Sequence, residues 1–210
     1  DAHDIIGDRA FSPDPEIVAR LGQAFCDGLL AGGVMPVIKH IPGHGRALVD
    51  SHHELPVVAA ALDELERTDF LPFRALKAQP FAMVAHVVYS AADAERAATI
   101  SRDVTDGVIR RDIGYEGVLI SDDISMEALA GSPSERTRAV LDGGCDVALH
   151  CSGKLDEMKG MIGACGPLSA DAAKRLSRAM AMVGSPEAID ADEVAGRLDS
   201  LLAAITPAGG

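Results

Sequence analysis

The sequence predicts an α/β fold built on a parallel sheet. Two observations carry that expectation. Short apolar runs alternate with stretches in which apolar residues recur at helical spacing, the rhythm of strand–helix–strand units with right-handed crossovers. Each apolar run also stops at charged or polar residues. Val34 to Ile38 ends in Lys39 and His40, and Phe81 to Ala85 ends at His86. Gly117 to Ile120 ends in Ser121, Asp122 and Asp123, and Asp146 to Leu149 ends in His150 and Cys151. Four polar strand ends in one parallel sheet converge on one face. A (β/α)8 barrel gathers such groups at the C-terminal face of its strands.

The elements follow in order. Residues 1 to 12 read as a loop. Pro13-Asp14-Pro15 opens a helix, with Asp14 as cap and Pro15 in the first turn. Its stripe is Ile17, Val18, Leu21, Phe25, Leu29 and Leu30, and Gly32-Gly33 ends it. A second helix is expected over Leu62 to Ala78, with Leu65, Phe70, Phe73 and Leu76 inward. Further helices are expected over Val104 to Asp112 and around Glu135 to Leu141. After Lys154 only helices follow, near 154–164, 169–183 and 187–205. The inner face of the sheet should include Val37, Met83, Leu119 and Ala148. The chain reads as one partial barrel domain over 1–210, with 154–210 its helical C-terminal part.

Composition narrows the function. The hydrophobic share of 48% is enough for a real core, and with aromatics at 3% that core must be aliphatic. A net charge of −13 argues against nucleic acid as a partner. No apolar run reaches the ~18 residues of a membrane span. Cys26, Cys145, Cys151 and Cys165 form no C-x-x-C pair, so buried free thiols and a reducing cytoplasm are expected. Asp1-Ala2-His3-Asp4 does not read as a signal peptide, nor as a natural start.

Chemistry concentrates in two stretches. Asp122 stands just past an apolar strand, where a carboxylate can project into a pocket. The competing reading is a helix N-cap, shared with Ser121 and Asp123; Asp123 reads as the cap or a structural partner. In Asp50-Ser51-His52-His53-Glu54, a carboxylate two residues before an imidazole can hold it protonated. A solvated polar loop is the competing reading, and spacing does not separate His52 from His53. His40 and His44 stand four apart, a metal-ligand spacing on a helix. Pro42 and Gly43 forbid that helix, so no metal and no cofactor are expected.

The segment Lys39-His40-Ile41-Pro42-Gly43-His44-Gly45, followed by Asp50-Ser51-His52, resembles the signature of family 3 glycoside hydrolases. Within that family it is similar to the bacterial β-N-acetylglucosaminidases of peptidoglycan recycling. Ser121-Asp122-Asp123-Ile124-Ser125-Met126-Glu127, Ile6-Gly7-Asp8-Arg9-Ala10-Phe11 and Ala85-His86-Val87-Val88-Tyr89 extend the likeness over residues 5 to 151. The resemblance implies a (β/α)8 barrel of which these are the last four strands, the first half being absent. It implies that Asp122 is the nucleophile of a retaining glycosidase. It implies that His52, paired with Asp50, is the acid/base, and that Arg9, Lys39 and His40 hold sugar hydroxyls through charge-assisted hydrogen bonds. For Arg9 the competing reading is a salt bridge to Asp8 or Asp14. His86 and His150 should line the same face. The implied substrate is N-acetylglucosamine at the non-reducing end of muropeptide fragments. The missing half-barrel or a second copy is the implied protein partner. A β-glucosidase of the same family and a non-catalytic sugar-binding half-barrel are the alternatives.

Overall fold

The computed structural model describes residues 7–47, 49 and 55–205. Its centre is a four-stranded parallel sheet, β1 (Val37–Ile41), β3 (Phe81–Val84), β5 (Val118–Asp123) and β6 (Val147–Leu149), ordered as in the sequence. β2 (Val57–Val58) and β4 (Val88–Tyr89) form a small second parallel sheet that the sequence did not announce. The order 1-3-5-6, every step parallel with an intervening crossover, is the α/β arrangement expected.

Local chemistry explains most boundaries. Helix α1 (Pro15–Ala31) starts where Asp14 accepts from the Glu16 and Ile17 N–H groups, at 2.8 and 3.4 Å. It packs on α3 through Gly22 and Cys26 rather than through its larger residues. A Cβ on Gly22 would stand 3.0 Å from Leu76. Leu21 and Phe25 are therefore exposed, against expectation, and Phe25 lies beside Phe11. The single helix expected over 62–78 is two, α2 (Leu62–Arg67) and α3 (Leu71–Ala75). Pro72 has no N–H to continue a helix, and the break leaves Thr68 and Asp69 free to bind Arg46. The expected helix at 104–112 is a π-helix, Asp103–Asp112. Helix α4 (Pro133–Asp142) opens on a capping box between Ser132 and Glu135. Helices α5 (Leu155–Ala164), α6 (Ala170–Met180) and α7 (Ala191–Ile205) follow.

One face of the sheet carries the core. Ile38, Ala82 and Leu119 share a row and are buried under the helices. The next row, Lys39, Met83, Ile120 and Val147, lies on the opposite, more open face. Val37 and Met83 thus sit as expected. Leu119 does not: it is fully buried on the helix side, and Ala148 packs against that same core. All four cysteines are free; Cys26 and Cys145 are buried, but Cys151 and Cys165 are exposed.

Candidate active site

The polar residues do collect at the C-terminal ends of the strands. Two of those strands run further than their apolar runs suggested: β1 includes Lys39, His40 and Ile41, and β5 includes Ser121, Asp122 and Asp123. Asp122 therefore lies on the strand, not beyond it. The N-cap reading fails, because β5 leads into a turn and the next helix is capped by Ser132. The Asp122 carboxylate accepts from the Asp123 N–H at 2.9 Å and faces His40, with 3.6 Å between Oδ2 and Nε2. The Ser121 hydroxyl donates to the Asp122 carbonyl at 2.7 Å and accepts from the Leu149 N–H at 3.0 Å, tying β5 to β6.

Asp123 is the structural partner expected of it. Its carboxylate accepts from the Ser125 N–H and hydroxyl and from the Cys151 N–H. These donors hold it below the usual carboxylate range, although burial pushes the other way.

His40 is largely buried, and that burial lowers its pKa to about 4. Asp122 opposes the shift, while His44, Lys39 and Arg9 add to it. His40 is thus a neutral donor and acceptor at pH 7. A neutral ring brings no charge of its own to a hydrogen bond. Arg9 and Lys39 are both near enough to act on His40, and both are exposed. Lys39 projects from the open row of the sheet.

The loop after β1 is anchored by residues the sequence did not single out. The Tyr89 hydroxyl, wholly buried, donates to the Gly43 carbonyl. Gly43 has φ 146° and lies against Asp69, where a Cβ would approach 2.9 Å; only glycine fits both demands. Arg46 bridges Asp69 at 2.7 Å and Glu64 at 2.8 Å, so the loop is clipped to α2 and its break. The signal in the sequence is the position of Arg46 just after the Gly-rich turn.

His40 and His44 come together despite the absence of a helix, with ring centroids 5.3 Å apart. The turn at Pro42 and Gly43 does what a helix was thought necessary to do. Among the described residues, however, no group of three His, Cys, Asp or Glu side chains is placed to hold a metal ion. His86 and His150 both stand at this end of the sheet, beside Asp123, but neither side chain is open to solvent. His86 has no exposed surface, and the His150 ring is held between Ser152 at 2.7 Å, Glu157 at 3.0 Å and Asp123 at 4.0 Å. Asp50 and His52 lie outside the described residues, as does His53. A hollow of about 380 Å³ opens at the other end of the strands, lined by Lys77, Gln79, Glu116 and Arg175. It holds none of the polar strand-end groups.

The glycosyl hydrolase family 3 N-terminal domain matches residues 1–183. The chain belongs to that family. This family 3 chain is 43% identical over 155 residues to a beta-hexosaminidase of Thiobacillus denitrificans, covering 72% of the chain and 43% of that relative. It resembles the solved structure of NagZ from Neisseria gonorrhoeae in complex with N-trifluoroacetyl-D-glucosamine. There the TM-score is 0.76 at 35% identity, over 97% of this chain and 58% of that one. It also resembles a family 3 beta-N-acetylglucosaminidase from Paenibacillus sp. str. FPU-7. That TM-score is 0.78 at 28% identity, over 90% and 39% of the two chains. The family 3 chain therefore spans less than half the length of the curated relatives it matches.

Proposed function

We propose that this chain carries the nucleophile end of a retaining exo-β-N-acetylglucosaminidase. The observation that carries the reading is Asp122: a carboxylate at a strand's C-terminal end, held by one backbone N–H and facing a neutral His40. Likeness to relatives named beta-hexosaminidase and to a structure bound to an N-acylated glucosamine supplies the substrate class.

In the first step an Asp122 oxygen attacks the anomeric carbon. The bond to the leaving oxygen breaks as His52, paired with Asp50, gives that oxygen its proton. In the second step water attacks the same carbon, His52 takes the water's proton, and the ester to Asp122 breaks. Arg9, Lys39 and His40 orient the sugar. No cofactor or metal is needed for either step. Muropeptide fragments are the proposed natural substrate, and the cytoplasm the proposed site, in keeping with four free cysteines.

The sheet supports a further reading. β1 and β6 each pair on one side only among the described residues, and Val37 and Val147 are about two-fifths exposed (40% and 38%). Open edges and an uncovered apolar row suit the last four strands of a (β/α)8 barrel whose other strands come from further chain or a second copy.

The test is hydrolysis of an aryl β-N-acetylglucosaminide, followed by NMR of the first-formed sugar. Release of the β-anomer, with a glycosyl mass trapped on the peptide containing Asp122, is the expected result. Release of the α-anomer removes the covalent route; binding without turnover favours the non-catalytic alternative.

A further inference from the structure

His86 has no part in the reaction above, yet it is wholly buried just past β3 and both its ring nitrogens are engaged. Nε2 lies 3.1 Å from the Asp123 carbonyl oxygen, and Nδ1 lies 2.8 Å from Thr99 Oγ1. A carbonyl oxygen only accepts, so Nε2 bears the proton. In the neutral ring Nδ1 must then accept, and the Thr99 hydroxyl donates to it. Thr99 is itself fully buried, in the 3-10 turn Ala98–Ile100. The charged groups around the ring are Asp122 and Asp123, which favour its protonation, and Arg136, which opposes it. Burial outweighs the two carboxylates and keeps the ring neutral.

The residue that His86 grips is the one that grips the nucleophile. Asp123 presents its carbonyl to His86 and its N–H to Asp122 Oδ1. The other side of the peptide whose carbonyl His86 holds is fixed as well, with the Ile124 N–H donating to the Leu149 carbonyl at 3.0 Å. We propose that His86 is a positioning residue for Asp122: its Nε2–H clamps the Asp123 carbonyl and so fixes the backbone donor that aims the nucleophile's carboxylate. Without exposed surface, His86 touches no substrate. Its hydrogen bond acts on Asp122 through Asp123. The proposal rests on Asp122 being the nucleophile.

The experiment has two arms, on the full-length protein. In the first, ¹⁵N NMR of the wild type reads the His86 tautomer, and the Asp122 ¹³Cγ resonance is compared among wild type, His86→Phe and His86→Gln. A protonated Nε2 with bare Nδ1 is expected at neutral pH, together with an Asp122 resonance that moves in His86→Phe and returns in His86→Gln. In the second, turnover of an aryl β-N-acetylglucosaminide is measured. His86→Phe should lose roughly 10- to 100-fold in kcat, with inhibition by free N-acetylglucosamine unchanged within about twofold. His86→Gln, whose amide can reach the same carbonyl, should recover most of the loss. A protonated Nδ1, an imidazolium, an Asp122 resonance unmoved in His86→Phe or displaced in His86→Gln, or inhibition that weakens in step with kcat would each overturn the proposal. A wild type that hydrolyses nothing would refute the glycosidase reading instead, and the NMR arm would still decide the clamp. Should His86→Phe not fold, the wild-type tautomer and the His86→Gln resonance decide it.

Discussion

Asp146 at one end of the sheet and Asp122 at the other are treated in opposite ways. At the N-terminal end, Asp146 is almost buried and fully matched. Arg110 and the Leu119 N–H reach one oxygen at 3.0 and 2.9 Å, and Arg175 reaches the other at 2.8 Å. Arg110 also donates to the Tyr115 and Gly117 carbonyls, so one cluster joins β5, β6, the π-helix and α6. At the C-terminal end, Asp122 has, among the described residues, one backbone N–H and a neutral histidine at 3.6 Å. The first arrangement has spent its hydrogen-bonding capacity on the fold. The second leaves an oxygen for something else. A buried charge without full compensation is costly, so a fold that keeps one holds its backbone by other means. Here Ser121, Asp123 and His86 supply them.

The comparison is broken or sharpened by a series of changes. The largest expected effect is on rate. His52→Ala should slow hydrolysis of a natural sugar-linked substrate by roughly 10²- to 10⁴-fold. An aryl substrate with a good leaving group needs little protonation and should be slowed far less. Equal losses on both would move the proton-transfer role to His53 or remove it from this loop.

Next comes Asp146→Ala, which leaves two guanidinium groups facing each other without their carboxylate. Denaturant unfolding should show a loss of about 3–5 kcal/mol, the cost of breaking a buried ion cluster from one side. Turnover per folded molecule should not change. A rate loss without a stability loss would mean that the two ends are not divided as described.

How much of this was legible depends on distance along the chain. The polar strand ends were visible because each follows directly on an apolar run. Their extent was not: Lys39, His40, Asp122 and Asp123 read as ends of the apolar runs rather than as part of the strands, because strand preference is weak where side chains face a polar site. The bottom cluster was invisible, since Arg110, Asp146 and Arg175 are linked across 29 and 36 positions with no local pattern. The meeting of His40 with His44, and the clip from Arg46 to Asp69, depend on one glycine turn that no periodicity encodes.

The smallest expected effect concerns pH. His40 and His86 both have lowered pKa values in the fold, chiefly from burial. The unfolded chain therefore takes up protons first, below its ordinary value near 6.5. The stability these rings contribute is intact above that value and is lost as pH falls, through about 4 for His40. At pH 5.5 the loss from His40 should be roughly 1 kcal/mol. Denaturation midpoints at pH 7 and 5.5, compared with those of His40→Gln, isolate it. A variant with the same pH dependence as wild type would show that the ring is not kept neutral.

The most direct test of the division between the two ends is Asp122→Asn, assayed for turnover and for unfolding together. Asparagine keeps the shape and removes the charge that the site leaves unspent. The account expects turnover of aryl β-N-acetylglucosaminide to fall by roughly three orders of magnitude or more, with stability equal to or above wild type and N-acetylglucosamine still bound. A variant that turns over at near wild-type rate, or that unfolds as Asp146→Ala does, would contradict it.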